Sequence, residues 1–417
     1  MAAIVAFVQT LLYLCVMKPI TQQYRSLPLL LKVVIAIALG AVLGLFVPAT
    51  VVRIMNTFCN LFSQMLGFMI PLIIMGLVTP AISRVGRGAG RMLALTAGLA
   101  YGFTVLSGLF AYGFSVNLFP GMVDAASVAT LATEGTRFAP YFTIKIAPVM
   151  EVMTALVASF MLGLGIAAFD AVNMRNFFDE FEHIVTKTIS KIIIPFLPPF
   201  IFGLFMDMAA SGKVGPVLAS FVKVIGVIFC MTLVLLVLQY CIAGLVARRN
   251  PFAMLRKMLP AYFTALGTSS SAATIPVTMD CTRKNGVDAQ VAGFVVPLCA
   301  TIHLSGSMLK ITSCAIALML MQGMQVSFLP MLGFVLMLGV TMVAAPGVPG
   351  GAIMAALGVL ESLLGFDASQ QAMMITLYIA MDSFGTACNV TGDGAIAVMI
   401  NRFFPLSATA VQSSVVR

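Results

Sequence analysis

Long apolar runs separated by short polar clusters dominate this chain. They cover residues 29–50, 53–82, 92–119, 146–169, 188–210, 214–247, 289–321 and 373–401. Each reaches the roughly 20 residues that a helix needs to cross a bilayer, so the pattern predicts eight transmembrane helices. Two further apolar stretches, about 251–280 and 328–365, are interrupted in their middles. The first interruption reads Gly267-Thr-Ser-Ser-Ser-Ala-Ala-Thr-Ile-Pro276 and the second Ala344-Ala-Pro-Gly-Val-Pro-Gly-Gly-Ala352. Proline removes a backbone donor, glycine loosens the chain, and a bare amide in hydrocarbon costs several kcal/mol. Such segments must be buried in protein or line a watery cavity. They are predicted to be two re-entrant helical hairpins whose tips meet near the midplane.

Composition narrows the class. Hydrophobic residues make up 61% of the 417 and charged residues 9%, against the roughly 25% charged of soluble domains. That excludes a soluble enzyme, a disordered chain and a secreted disulfide scaffold. The eight cysteines form no C-x-x-C pair and read as small packing residues. His183 and His303 are too few and too separated for a metal cluster. The net charge of +9 fits the cytoplasmic loop bias of membrane proteins better than a nucleic-acid surface.

Charge also sets orientation. With both termini cytoplasmic, the inner side holds Arg84, Arg87, Arg91, Arg248, Arg249, Arg256, Lys257, Arg283 and Lys284 among others, and the outer side only Arg53, Arg137, Lys145 and Lys213. The two hairpins then open to opposite sides. Opposed hairpins, each followed by a long polar-dotted helix, suggest inverted repeats, the usual frame of a secondary transporter with a midplane site. No repeated pore loop or charged ring points to a channel. Residues 1–28 read as an N-terminal amphipathic segment and 406–417 as a cytoplasmic tail.

Acids inside a membrane are costly and mark function. Glu151, Asp207, Asp382 and Asp393 fall within or at the edge of spans. Asp382, Thr386, Asn389 and Asp393 stand at offsets 0, 4, 7 and 11, so at 100° per residue they share one narrow helix face. Two carboxylates with neutral oxygens between them suit hard cations and an ammonium group. Interhelical hydrogen bonding is the plainer explanation, weakened by the lack of a basic partner on that apolar helix. The run Asn389-Val-Thr-Gly-Asp393 is expected to loosen at Gly392. His303, Ser307, Lys310 and Cys314 make a second stripe with the same offsets. Lys310 lies too far from either end of its span to snorkel; it is either a structural ion pair with a buried acid or a fixed cation that replaces a transported one. His303 is either a hydrogen-bonding group or a proton carrier. Ser269, Ser270 and Ser271 sit at a hairpin tip, where helix N-termini receive carboxylates. Pro346-Gly-Val-Pro-Gly-Gly351 suits a mobile lid.

Four motifs in this order resemble the glutamate-transporter family, the dicarboxylate/amino acid:cation symporters. They are Thr268-Ser-Ser-Ser-Ala-Ala-Thr-Ile-Pro276, Val296-Pro-Leu-Cys-Ala-Thr-Ile302, Gly347-Val-Pro-Gly350 with Ala352-Ile-Met354, and Asn389-Val-Thr-Gly-Asp393. The resemblance implies a homotrimer of elevator-type transporters. Scaffold helices would occupy 29–82 and 142–211, and a transport domain 88–119 and 212–405. It also implies roles. Asp382 meets the substrate ammonium, with Thr386, Asn389 and Ser307 as neighbouring contacts. The backbone at Ser270 and Ser271 cradles a carboxylate, and Val348 and Gly350 lie in the lid. Sodium is held by Asp393, Asn389, His303, Thr301, Val343 and Ala345, several through backbone.

The departures carry information. Acidic-substrate members place an arginine three residues after the aspartate, where this chain has Gly385, or just before the serine run, where it has Thr268 and Ser269. The family's Asn-Met-Asp-Gly-Thr reads His303-Leu-Ser-Gly-Ser307, so a sodium-site aspartate has become Ser305. Tyr101 and Thr104 remain, but the following serine is Val105. The expectation is a symporter for a small neutral amino acid such as serine, threonine or alanine, coupled to sodium, with protons the second candidate. Lys310, His303 and Ser305 would carry the altered coupling, with fewer sodium ions than the family's three-sodium members use. An acidic amino acid or dicarboxylate symporter, and a gated anion channel or non-transporting relic, stay open beside it. Neither an enzyme nor a nucleic-acid partner is expected.

Overall fold

A computed structural model describes residues 29–85, 91–122, 138–212, 214–343, 345 and 350–404. The segment 1–28, the tail 406–417, Val348 and the basic residues Arg87, Arg137 and Lys213 lie outside them. The described residues form helices and connecting turns.

Helices α1 (Leu29–Leu43), α2 (Ala49–Val85), α3 (Arg91–Leu118) and α4 (Val152–Ala168) come first. The helix α5 (Val172–Thr188) runs through a π turn at Ile189–Ile193 into α6 (Ile194–Ala210). Pro195 has no N–H to return to the preceding turn, and the helix widens just ahead of it. The apolar run predicted a span only from residue 188. The helix reaches back further because its first half is amphipathic: Phe178 and Val185 are buried while Glu180 and His183 are exposed. The long α7 (Val214–Ala247) follows.

Both interrupted stretches are helical pairs. In the first, α8 (Pro251–Thr268) meets α9 (Ser271–Lys284). The break is shorter than the sequence suggested. Ser269 adopts a left-handed φ of 50° and Ser270 caps α9, its hydroxyl accepting from the Ala273 amide at 3.3 Å. Pro276 sits inside α9 rather than in the break. The second pair is α12 (Phe328–Val343) and α13 (Gly351–Leu364), the latter entered through Gly350 at φ 74°.

Two predicted continuous spans are each broken. The run 289–321 is α10 (Ala289–Ile302) and α11 (Ser305–Met321), with extended backbone at His303. The run 373–401 lies in α14 (Ala368–Ala380) and α15 (Asp382–Phe403), interrupted at Met381. By contrast α15 passes Gly392 unbroken, against the expected loosening. A Cβ there would lie 2.6 Å from His303 Cε1 and 2.7 Å from Gln239 Oε1; the glycine serves close approach, not unwinding.

Five helical runs among the described residues are long and apolar enough to cross a bilayer: Ala49–Pro80, Arg91–Gly121, Val172–Ala210, Val217–Ala247 and Ala289–Met321. Shorter apolar helices include Leu31–Leu43, Val157–Ala168, Phe328–Val343 and Gly351–Leu364. Leu39, Leu106, Met161, Val222 and Leu245 keep large apolar side chains exposed on the outer helices, as lipid-facing surfaces do. The centre is the opposite. All but one residue of α11 is buried. It packs on α3 and α15, and α15 packs on α7, α8, α9 and α10. The polar residues of α11 and α15 are therefore sealed between helices.

Candidate substrate and ion site

Two polar clusters lie along α15, one at its N-terminus and one near its middle. At the N-terminus Asp382 is 7% exposed. Its Oδ2 accepts from the Gly350 amide of the second hairpin at 2.9 Å. Its Oδ1 lies 3.5 Å from Lys310 Nζ. The first hairpin reaches the same place, with Ser269 Oγ 2.7 Å from Ser383 Oγ. Ser269 in the first break and Gly350 at the entry to α13 thus both contact the first residues of α15. An α-helix N-terminus carries unpaired N–H groups and partial positive charge, which favours a carboxylate at its first turn.

Asn389 is about two turns further along the same helix. Its Oδ1 accepts from the Gly306 amide at 2.8 Å and the Ser307 amide at 3.4 Å. Its Nδ2 donates to Ser307 Oγ at 3.2 Å, and that hydroxyl lies 2.9 Å from Tyr378 Oη. The Asn389 amide therefore caps the broken helix α11 from outside. Thr386 returns its hydroxyl to the Asp382 carbonyl at 2.9 Å. Gly306 has to be small: a Cβ there would stand 2.7 Å from that of Cys388.

Lys310 is 1% exposed. Besides Asp382 it donates to the Met381 carbonyl at 3.2 Å and lies 3.8 Å from the centre of the Tyr378 ring. All three partners belong to the short stretch 378–382; the Met381 carbonyl also accepts from the Gly385 amide at 3.2 Å, as the N-cap residue of α15. Gly385 faces the same ammonium, for a Cβ there would overlap Lys310 Cε and Nζ. The partner acid is Asp382 and not Asp393, so the paired cation belongs to the cluster at the start of α15.

The second cluster is centred on Asp393, which is 1% exposed. Its Oδ1 lies 2.9 Å from His303 Nδ1. His303 reaches it because the α10–α11 break turns the imidazole off the stripe that a continuous helix would give. Asp393 Oδ2, His303 Nε2, Ser305 Oγ, Thr104 Oγ1, Thr391 Oγ1 and both amide atoms of Gln239 are buried without a hydrogen-bond partner in the protein. The oxygens among them suit a hard cation, so the donor set fits sodium, although no group of three or more His, Cys, Asp or Glu stands together among the described residues.

The other expected residues divide. Thr301 donates its hydroxyl hydrogen to Leu298 O at 2.7 Å and is exposed, its oxygen lone pairs still open to a ligand. Val343 ends α12 and Ala345 is buried just beyond it. Asp207 belongs elsewhere, accepting from Asn56 Nδ2 at 2.7 Å between α2 and α6. Glu151 stands at the N-cap of α4. Tyr378, Gln239 and Ser383 were not picked out from the sequence. Tyr378 precedes Asp382 by four residues, but an aromatic in an apolar run reads as core.

Sealed polar helices meeting two interrupted helical pairs, within a shell of long apolar helices, fit a multi-pass membrane transporter. The model of the sodium:dicarboxylate symporter family matches residues 29–403, and the chain belongs to that family. It is 28% identical over 389 residues to the serine/threonine transporter SstT of Acinetobacter baumannii, covering 89% of this chain and 95% of that one. It is 30% identical over 229 residues to the human excitatory amino acid transporter 1, covering 53% of this chain and 41% of the human protein. The chain thus spans less than half the length of the excitatory amino acid transporters it matches.

Proposed function

We propose that the chain is a symporter that imports a small neutral amino acid, of the serine, threonine or alanine kind, together with sodium. The observation that carries this is Asp382, a buried carboxylate held by the Gly350 amide and next to Ser383, which meets Ser269. Its charge suits the substrate's ammonium, and the amides at Ser270 and Ser271, at the start of α9, suit its carboxylate. Gly385 offers no side chain toward a second carboxylate, and the cation beside it is engaged by Asp382. An acidic side chain would leave that charge short of a dedicated partner in a buried site, at a cost of several kcal/mol. The near full-length likeness to a serine/threonine transporter agrees.

Sodium is read as a co-substrate held at Asp393 and the orphaned oxygens around it, with backbone carbonyls near Val343 and Ala345 as a further candidate. Transport is read as movement of 88–119 with 212–405 against a scaffold of 29–82 and 142–211, in a homotrimer with both termini cytoplasmic. The packing of α1 on α6 and of α2 on α4, apart from the cluster around α15, supports that division. A second reading, an acidic amino acid, is favoured by one observation: Lys310 fills the place a residue-385 side chain would take.

Competition in liposomes separates the two. Serine or alanine should outcompete aspartate by well over about tenfold, since several kcal/mol for an unpaired buried charge is roughly a hundredfold or more. Equal or better competition by aspartate would transfer the assignment to the second reading. Counterflow separates both from a channel, since only an alternating carrier exchanges bound substrate.

A further inference from the structure

The contacts of Lys310 have a consequence for the transport cycle. Asp382 offers two oxygens. One is held by the Gly350 amide and the other faces Lys310. A primary ammonium on a carboxylate is the pair that an amino acid substrate would itself make there. Both ammonium groups would approach the same oxygen, and two like charges on one buried carboxylate repel, so they compete for it. The lysine stem has room to yield. A cavity of about 270 Å³ lies beside it, walled by Gly226, Phe229 and Thr232 of α7 with Met381 and Phe384.

We propose that Lys310 is an internal stand-in for the substrate's ammonium: it neutralises Asp382 in the empty carrier, so that the empty transport domain returns without carrying a small cation back. The proposal rests on the reading of Asp382 as the substrate's ammonium partner. An isolated carboxylate is costly to move through hydrocarbon. A carrier with such an acid in its empty site must bind a cation, take up a proton or stay put. Here the cation is tethered, and its other two contacts, the Met381 carbonyl and the Tyr378 ring, hold it beside the acid. When substrate arrives its ammonium takes Oδ1. Lys310 then keeps the carbonyl and the ring while its stem relaxes into the cavity. In this scheme Lys310 acts through Asp382 and is a positioning residue for the empty state.

Two measurements in liposomes test this. In the wild type, sodium-driven net uptake of serine into a lumen containing only choline should match uptake into a lumen containing potassium. A requirement for lumenal potassium would overturn the proposal without any variant. Lys310→Met should lower net uptake by roughly tenfold or more, the scale expected for an unpaired carboxylate in hydrocarbon. Exchange against lumenal serine, which never visits the empty state, should stay near the wild-type rate. Lys310→Arg, which keeps the charge, should restore net uptake. Equal loss of both fluxes in Lys310→Met, or loss of neither, would reduce Lys310 to a structural ion pair. If the wild type exchanges no amino acid, the transport reading fails and takes this inference with it; intact exchange with dependence on lumenal potassium defeats the inference alone.

Discussion

Asp382 concentrates the functional argument at the residue scale. It meets a backbone amide, an ammonium and the start of its own helix within one side chain. Asp382→Asn keeps that shape and removes the charge, so the Gly350 contact survives while the charge-assisted pairing does not. The purified variant should remain monodisperse and lose amino acid affinity by at least about tenfold, as the loss of a charged hydrogen bond implies. Isothermal titration on such a sample is the check, and unchanged affinity would remove Asp382 from the substrate site. The residue stripe itself was legible in the sequence, because Asp382, Thr386, Asn389 and Asp393 all lie within the regular helix α15. The second stripe was legible only in part. His303 stands outside α11, so its angle relative to Ser307 and Lys310 does not follow from 100° per residue.

At the scale of elements, the telling features are the breaks at His303–Leu304 and at Met381. Each leaves the end of one helix and the start of the next inside the protein, where backbone groups demand partners. Asn389 answers for α11, through the Gly306 and Ser307 amides, and Lys310 adds a second donor to the Met381 carbonyl, which already accepts from the Gly385 amide. Asn389→Ala should therefore act as the loss of a helix cap, costing about 1–2 kcal/mol, and also free the Ser307 hydroxyl. The expected outcome is a lower thermal midpoint together with weaker substrate binding. If binding falls with no change in midpoint, Asn389 touches substrate without capping α11. The two hairpins were readable in advance because Gly, Pro and Ser clusters mark their tips. The breaks at residues 303–304 and 381 carry no proline or glycine at the interruption; side chains from other helices hold them.

For the whole molecule the question is which gradient drives it. Ser305 stands where the resembling family has a carboxylate, and Asp393 shares its charge with His303. Lys310 does not compensate there, since it sits on Asp382. Fewer anionic ligands imply fewer bound sodium ions than in three-sodium members of the resembling family. Reversal potentials in liposomes under imposed sodium and proton gradients measure the coupling directly. Sodium dependence below that of three ions per substrate is the expected result. Sodium independence with steep pH dependence would hand coupling to His303 and Asp393, whose shared contact has place for one proton.

The sequence alone determined the class: long apolar runs must become helices in lipid, and interrupted runs must hide their backbone in protein. It also determined which side chains were too costly to be incidental, because a buried charge is expensive wherever it lies along a span. Tertiary structure decided which charge meets which. Lys310 and Asp382 are 72 positions apart and His303 and Asp393 are 90 apart, and helical periodicity says nothing about pairing between helices. Only the packing of α10 and α11 against α15 set Lys310 beside Asp382 and His303 beside Asp393.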